Sequence, residues 1–476
     1  PSVDACVALL SLVQQLVRAP SPPLLLLLTS GTQAAEVWGA PSKLSAASSA
    51  GVWGFARSLR LEASFLRTIT VDMKERSTPK AAQQIVAETR SAILAGGSDE
   101  PQMVWGKRGR LVPRLDATPI QRRSRRRPAV RDRHLVTGGL GGLGLRTTAM
   151  LSRAGASSIL VCSRSGLVSR GAPLTSLPRV ASVVRSDVSC ADDAVHLVRR
   201  ALGSAGRLRG VWHAAGVLAD VLVRNMSADH VGRAFGAKAL GAWHLHSNDG
   251  RAPLDAFLLF SSIASVVGNV GQANYAGANS YLDALATSRR VHGLTACSLQ
   301  IPIVRGAGMG EDAFGEGSGT EHLEVHLGVF VQWLAVAGLA WRPRTTAAAL
   351  LLPATGAKTL LAAKAKSAKA VEGSASLSAA ESSELARVVQ SMPPARQQPH
   401  VEALVLGVLR ELTGAADVGA GTPLMEAGVD SLAATEMSMR LRAATGLPLS
   451  PTLVFEHPTP RDIAAHLLSQ IVGSRE

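Results

Sequence analysis

The sequence predicts an α/β protein followed by a small all-helical unit, and three observations carry that expectation. Short apolar runs with strand character alternate with helical patterns over most of the chain. One of these runs enters a glycine-rich turn near residue 140 that opens a helix. The last ~75 residues hold apolar positions at helical spacing and no strand-like run. At about 100–200 residues per domain, 476 residues make two to four domains. A hydrophobic share of 46% is enough to fill their cores.

Residues 1–118 come first, with Leu24–Thr29 as a buried strand, Ala50–Leu61 as a helix and Ile69–Asp72 as a further strand. No glycine-rich nucleotide loop follows any of them, so this section reads as an α/β unit without a ligand site. Residues 119–130 form a basic linker. Residues 131–360 alternate apolar runs with helices, the pattern of a parallel sheet covered on both faces. Residues 361–398 turn to Ala, Ser, Glu and Pro, the composition of a flexible linker. Residues 399–473 make the helical unit, with periodic apolar positions at Val401–Leu412, Leu432–Leu441 and Ile463–Ile471. No internal repeat is visible.

Charge and cysteine usage exclude several classes. The formal net charge of +15 first points to nucleic acid, but its distribution argues otherwise. Between Lys107 and Arg133 stand eleven Lys/Arg and two Asp, including Arg122, Arg123, Arg125, Arg126 and Arg127, with no interleaved aromatic group. That is a solvated linker leading into a strand, so no nucleic-acid partner is expected. From Pro399 to Glu476 five Arg face nine Asp/Glu, and opposite charge favours docking between the two parts. Cys6, Cys162, Cys190 and Cys297 form no CxxC or Cys/His cluster, so neither a disulfide framework nor a metal site is expected. The longest aliphatic run, Leu24–Leu28, is far shorter than the ~20 residues of a membrane span. No charged-then-apolar leader opens the chain, which begins inside a helical pattern as a fragment would. A cytoplasmic location without a membrane partner is the expectation.

The glycine turn carries the first chemical assignment. His134–Val136 is a short strand leading into Thr137, Gly138, Gly139 and Leu140, then Gly141, Gly142, Leu143 and Gly144. Gly139, Gly141 and Gly144 satisfy GxGxxG, and Leu145–Ala154 reads as a helix. The first glycine permits the tight turn and the second lets backbone approach a pyrophosphate. The third packs helix on strand, with the helix N-terminus facing the phosphates. Glycine turns alone are common; the flanking strand and helix make this one a dinucleotide site of a Rossmann-like unit. The next strand, Ser158–Cys162, ends in Ser163 and Arg164, where an arginine favours the 2′-phosphate of NADPH over the bare ribose of NADH. Asp187 and Val188 end a third strand and meet the adenine. His213, Ala214, Ala215 and Gly216 end a fourth, where small residues let the cofactor lie against backbone.

The second assignment is catalytic. Phe257–Phe260 is a buried strand delivering Ser261 and Ser262 at its carboxyl end, where open α/β sheets bind ligands. Tyr275 and Asn279 follow, four residues apart on one helix face. Reducing a ketone needs a hydride on carbon and a proton on oxygen; a tyrosine can donate that proton and a serine can hold the carbonyl. A tyrosine of ordinary pKa near 10 works better beside a cation. Asn279 is neutral, so Lys238 is the expected supplier. Each residue alone reads as packing or surface; the set, with the glycine turn, reads as a site.

These motifs carry a family resemblance. TGGLGGLG, SRSG, HAAGVL, the Lys238 segment and FSSIASVVGNVGQANYAGANSYLDALA resemble the ketoreductases of modular polyketide synthases and animal-type fatty acid synthases, within the short-chain dehydrogenase/reductase superfamily. Like those ketoreductases, this chain has lysine and asparagine exchanged relative to ordinary short-chain dehydrogenases. The resemblance implies Tyr275 as acid, Ser262 as carbonyl partner, Lys238 as the ribose-binding and pKa-lowering group, and Asn279 as a relay. It makes residues 1–118 a degenerate, structural Rossmann-like unit beside the NADPH-binding catalytic one, a weaker match carried by WGFARSLRLE. Leu218-Ala219-Asp220 is similar to the family's LDD motif, and Val267 stands where the opposite stereochemical class has tryptophan. Both imply a B-type enzyme giving the D-hydroxyl product. The tryptophan expected after the last strand is Ile301, and Gly306–Glu324 would be the substrate lid.

In Leu424-Met-Glu-Ala-Gly428-Val-Asp430-Ser431-Leu432 a serine opens a helix, ordinarily the place of an N-cap. The small acidic helical unit around it resembles a four-helix acyl carrier domain. The resemblance implies 4′-phosphopantetheine on Ser431, installed by a phosphopantetheinyl transferase and bearing the acyl thioester substrate. Ketosynthase and acyltransferase steps would lie outside this chain. The alternative is a non-catalytic carrier and scaffold with a decayed reductase fold.

Overall fold

The computed structural model describes residues 3–19, 22–33, 44–73, 100–106, 109–114, 132–168, 177–203, 208–249, 252–305, 324–335, 348–350, 391–413, 418–424 and 453–473, with single positions elsewhere. The chain divides into two compact units. Among the described residues the larger holds a four-stranded sheet, a seven-stranded sheet and a two-stranded pair, Ile303–Arg305 with Glu324–His326; the smaller is helical.

The first sheet has the order β1 (Leu25–Ser30), β2 (Thr68–Met73), β3 (Gln102–Gly106) and β4 (Gly109–Leu111). Its first three strands run parallel and β4 returns antiparallel. Helix α1 (Val3–Leu16) precedes it, and α2 (Ala50–Glu62) links β1 to β2. At the carboxyl end of β1, where a nucleotide would meet backbone amides, the Asp72 carboxylate from β2 already sits. It accepts from the Thr29 hydroxyl at 2.7 Å and from the amides of Thr32 at 3.0 Å and Gln33 at 2.9 Å. A side chain of the protein satisfies the donors that would otherwise hold an anion.

The second sheet has seven described strands, all parallel. They are β5 (Arg133–Thr137), β6 (Ser158–Ser163), β7 (Ala181–Arg185), β8 (Leu208–His213), β9 (Ala256–Ser262), β10 (Cys297–Ile301) and the strand Ala348–Leu350. From β5 the chain steps outward to β6 and β7. It then crosses back to place β8 on the other side of β5, with β9, β10 and the last strand beyond. The reversal lies between β5 and β8, and the crevice above such a switch point is where doubly wound sheets bind ligands. Helix α3 (Gly142–Arg153) follows β5. Val136, Leu145, Leu151, Val161 and Trp212 bury together between strands and helices.

One long helix, here α4 (Ala273–Val291), carries the catalytic candidates and is buried almost all round. Its far end is anchored by Arg289, which pairs with Asp249 at 2.8 Å and stacks over Phe257 at 3.8 Å. Its near end is gripped by α2. A Cβ on Gly54 would overlap the carbonyl oxygen of Ala276, the residue after Tyr275, and one on Gly51 would stand 2.9 Å from Phe235 Cζ. The helix of the first sheet thus lies directly on the backbone of the catalytic one. Gly54→Val is expected to destabilise the protein by about 1–3 kcal/mol by overpacking. It should also lower turnover by displacing Tyr275; an unchanged thermal midpoint would contradict the packing.

In the smaller unit α5 (Pro394–Thr413) buries Val401, Val405 and Leu409 against Ile463, Ala464, Leu467 and Ile471 of α6 (Pro460–Gly473). The helix starts inside the stretch 361–398 expected to be linker, and Val389 also joins this core at 0% exposure. Proline at the first helical position explains it: the missing N–H is unneeded there. The linker 119–130, the lid residues 306–323 and Ser431 lie outside the described residues. Among the described residues no helix is long and apolar enough to cross a membrane, and no His/Cys/Asp/Glu group is arranged to hold a metal.

Candidate active site

The glycine turn is built as a cradle at the switch point. Gly138 has φ +64°, and a Cβ there would come within 2.6 Å of Ala215 backbone, so only glycine fits between the ends of β5 and β8. A Cβ on Gly139 would overlap Val161, and one on Gly144 would overlap the Gly138 carbonyl. Gly141 is the N-cap of α3 and no side chain caps it, leaving the first-turn amides for a ligand. This donor set, anion-seeking and shaped by missing Cβ atoms, fits a dinucleotide. Thr137, Leu140, Gly142 and Leu143 lie in the same turn, with Leu140 buried beneath it. Ser163 ends β6, and Arg164 just beyond is exposed.

The third strand ends earlier than expected, and the groups around Asp187, Val188 and His213 are defined. β7 ends at Arg185, two residues before Asp187, and the Asp187 carboxylate is engaged by Ser189 through its amide at 2.9 Å and hydroxyl at 2.7 Å. Val188 is buried, its carbonyl accepting from His244 Nδ1 at 2.9 Å. The ring of His213 is closed to any ligand. It is fully buried, its Nε2 donates to the Lys238 carbonyl at 2.9 Å, and its Nδ1 accepts from the Thr137 hydroxyl at 2.7 Å. A carbonyl can only accept, which fixes this tautomer. Burial holds the imidazole down to about 4, neutral at any working pH. His213 therefore ties the glycine turn to the lysine segment, leaving half-buried Ala214, Ala215 and Gly216 to face the crevice.

Lys238 sits in a π-helical turn, Gly236–Leu240, a rare conformation concentrated at functional sites. Its side chain is 3% exposed, and Nζ donates to the Phe260 carbonyl at 2.8 Å while lying 5.1 Å from the Tyr275 ring centroid. β9 presents Ser262 two residues past that carbonyl, and the half-buried Tyr275 enters from α4. The structure therefore gathers Lys238, Ser262, Tyr275 and Asn279. Asn279 donates through Nδ2 to the Tyr275 carbonyl at 2.9 Å, and its buried Oδ1 has no hydrogen-bond partner. Such an orphan acceptor marks a place for a water or ligand. Asp220 accepts from Gln272 Nε2 at 2.7 Å, just before α4.

The electrostatics differ from expectation. Burial pushes the Tyr275 hydroxyl up to about 12, Asp220 adds to the rise, and Asn279 and Ser262 oppose it. Lys238, whose Nζ donates to the Phe260 carbonyl, is not among the groups that lower it. Burial instead lowers Lys238 to about 7 from 10.5, with Asp283 opposing. The unfolded chain thus binds the extra proton between pH 7 and pH 10.5, so this group's contribution to stability rises with pH across that window. Lys238→Met is expected to destabilise the fold at pH 7 by up to about 3–5 kcal/mol, because it leaves the buried Asp283 carboxylate without its cationic counterpart. Calorimetry at pH 7 checks it, a raised melting temperature being the contrary result. Tyr281 lies on the same helix as Tyr275 and is buried in its packing.

Comparison with known proteins matches this layout. The KR domain profile matches residues 133–306, and the phosphopantetheine attachment site profile matches residues 403–467. A solved A-type ketoreductase from a modular polyketide synthase is 31% identical, with TM-score 0.62 over 72% of each chain. The chain belongs to the polyketide synthase ketoreductases. Polyketide synthase GfsA of Streptomyces halstedii is 32% identical over the whole of this chain, which spans 6% of that relative. Pikromycin polyketide synthase component PikAIII of Streptomyces venezuelae is 31% identical over 87% of the chain and 28% of its own length. The chain thus pairs a ketoreductase region with a carrier region, and covers a small part of the curated relatives it matches. In the ketoreductase region, motif reading missed His213 as a brace and missed Asp283. Asp283 falls at i+4 from Asn279 and i+8 from Tyr275, so a search of that helix face would have found it.

Proposed function

We propose that this chain reduces a 3-oxoacyl thioester to a 3-hydroxyacyl thioester with NADPH, the acyl group riding on phosphopantetheine at Ser431. The observation that carries the reading is the convergence of Lys238, Ser262, Tyr275 and an orphaned Asn279 acceptor beside a glycine cradle at one switch point. NADPH, when bound, supplies the hydride. The uncapped start of α3 and the Gly138 passage would hold its pyrophosphate, and Arg164 its 2′-phosphate. Ser262 orients the substrate carbonyl and Tyr275 gives its oxygen a proton. Lys238 supplies positive charge beside them, and Asn279 accepts from a water that restores the phenol's proton. Ketosynthase, acyltransferase and phosphopantetheinyl transferase partners complete the setting by likeness to the family.

NADPH consumption by the purified chain with a 3-oxoacyl thioester tests the reading, with NADH as the comparison. Faster turnover with NADPH is expected; no consumption with either favours the carrier-scaffold alternative. The stereochemical proposal is B-type, giving the D-alcohol, supported by Asp220 beside Gln272 and by Val267 in place of tryptophan. The similarity to an A-type structure pulls the other way. Chiral chromatography of the product decides, the L-alcohol overturning B-type.

A further inference from the structure

Beneath the candidate site lies a carboxylate that the proposed chemistry does not use. Asp283 sits on α4 one turn beyond Asn279, and three neutral donors converge on it. Ser265 Oγ at 2.7 Å and Gln300 Nε2 at 2.8 Å reach one oxygen; Ser298 Oγ at 2.6 Å reaches the other. These donors come from the segment just after Ser262 and from β10, where Gln300 pairs in register with Ser261 and Ile301 with Ser262. The carbonyl of Ser265 is in turn held by the Arg57 guanidinium from α2, which also grips Gln102 Oε1 at 3.0 and 2.9 Å. One carboxylate thus binds together the catalytic helix, the serine-bearing strand end and the neighbouring strand.

Hydrogen bonding alone does not require a charge here. An asparagine or a bound water could accept from two hydroxyls and an amide, and a carboxylate with only neutral direct donors carries a desolvation cost. Its charge does have a counterpart, since Asp283 stabilises the charged form of the buried Lys238, and of Arg57 on the other side. Lys238 for its part has a carbonyl and an aromatic ring as neighbours, neither a full counter-charge.

We propose that Asp283 is a positioning residue for the reduction: it fixes the strand end presenting Ser262 and acts as the distant counter-charge that keeps the Lys238 ammonium protonated. The proposal rests on the ketoreductase reading above. Burial raises the Asp283 carboxyl itself, against the hydrogen bonds it accepts, and raises Asp220 beside Tyr275 in the same direction. The other titratable groups facing the pair keep one charge state across neutral pH. His213 is neutral, with burial holding it at about 4, and Tyr275 and Cys297 are neutral, with burial lifting both to about 12. Arg57, at about 10, stays cationic.

The test is the pH profile of kcat/KM, which reports groups of the free enzyme, for the full chain with NADPH and a diffusible 3-oxoacyl thioester. Wild type should lose activity as pH rises through about 7, where Lys238 gives up its proton. Asp283→Asn should move that alkaline limb down by about one pH unit, the smaller effect of an opposite charge nearby. Its activity should recover towards the acid side. Ser298→Ala, which removes one donor and keeps the charge, should lower the rate without moving the limb. A limb unmoved in Asp283→Asn, with wild type active, overturns the proposal; wild type inactive overturns the reading beneath it. If Asp283→Asn does not fold, Asp283→Ser is read with the same outcomes. Failure of both to fold assigns the carboxylate to general scaffolding and equally overturns the proposal.

Discussion

Tyr275→Phe is expected to lower the rate of ketone reduction by about 10²–10⁴-fold, the usual worth of a positioned general acid. The substitution removes one oxygen from a site whose backbone is held by Asn274, Asn279 and the α2 contact, so the fold and NADPH affinity should persist. The direction of the Tyr275 shift bears on how the acid works. A phenol lifted to about 12 is protonated at every physiological pH, ready to donate. Reduction creates an alkoxide, a far stronger base than a phenolate, so donation runs downhill even from a reluctant acid. The depressed pKa expected from sequence would matter for the reverse reaction, in which the phenolate must abstract a proton. The forward rate should therefore show no loss assignable to Tyr275 below about pH 10. Stopped-flow measurement of NADPH oxidation checks both points; a fall of less than tenfold in the phenylalanine variant would remove Tyr275 from the acid's role.

Ser431→Ala is expected to abolish reduction of any carrier-borne chain while leaving reduction of a diffusible thioester intact. In the proposed function the Ser431 hydroxyl takes the phosphopantetheine group, and alanine has no substitute for it. Tethering delivers the thioester at an effective concentration of order millimolar, which the variant forfeits entirely. Among the described residues before it, the Leu424 amide donates to the Pro458 carbonyl at 2.9 Å and Val429 is 1% exposed. The variant should keep its fold. Intact-protein mass spectrometry after incubation with coenzyme A and a transferase reads the outcome; a modified alanine variant would place the attachment elsewhere.

What the sequence made legible was what is local within it. The strand–glycine–helix succession at 134–154 and the Tyr275/Asn279 spacing need only neighbours in the chain to be read. The family resemblance added the expected ribose contact of Lys238 and the expected phosphopantetheine at Ser431. What escaped is tertiary. The His213 bridge joins residues 76 and 25 positions apart, and the Asp283 cluster draws on three elements. The Tyr275 shift follows from burial, which no spacing encodes. Composition also misled at the second linker, because Pro, Gln and Arg near residue 394 look unstructured while proline is at home in a first helical turn. In the first sheet the missing glycine loop was visible, but not that Asp72 had taken the anion's place.

The meeting of Gly54 with the Ala276 carbonyl constrains how this reductase can be transplanted between synthases. A graft cut between the two sheets strips the catalytic helix of the surface that aligns it, however complete the inherited motif set. Productive recombination breakpoints must spare the whole of residues 50–291, and chimeras joined near residue 130 should yield protein that binds nucleotide poorly and turns over little.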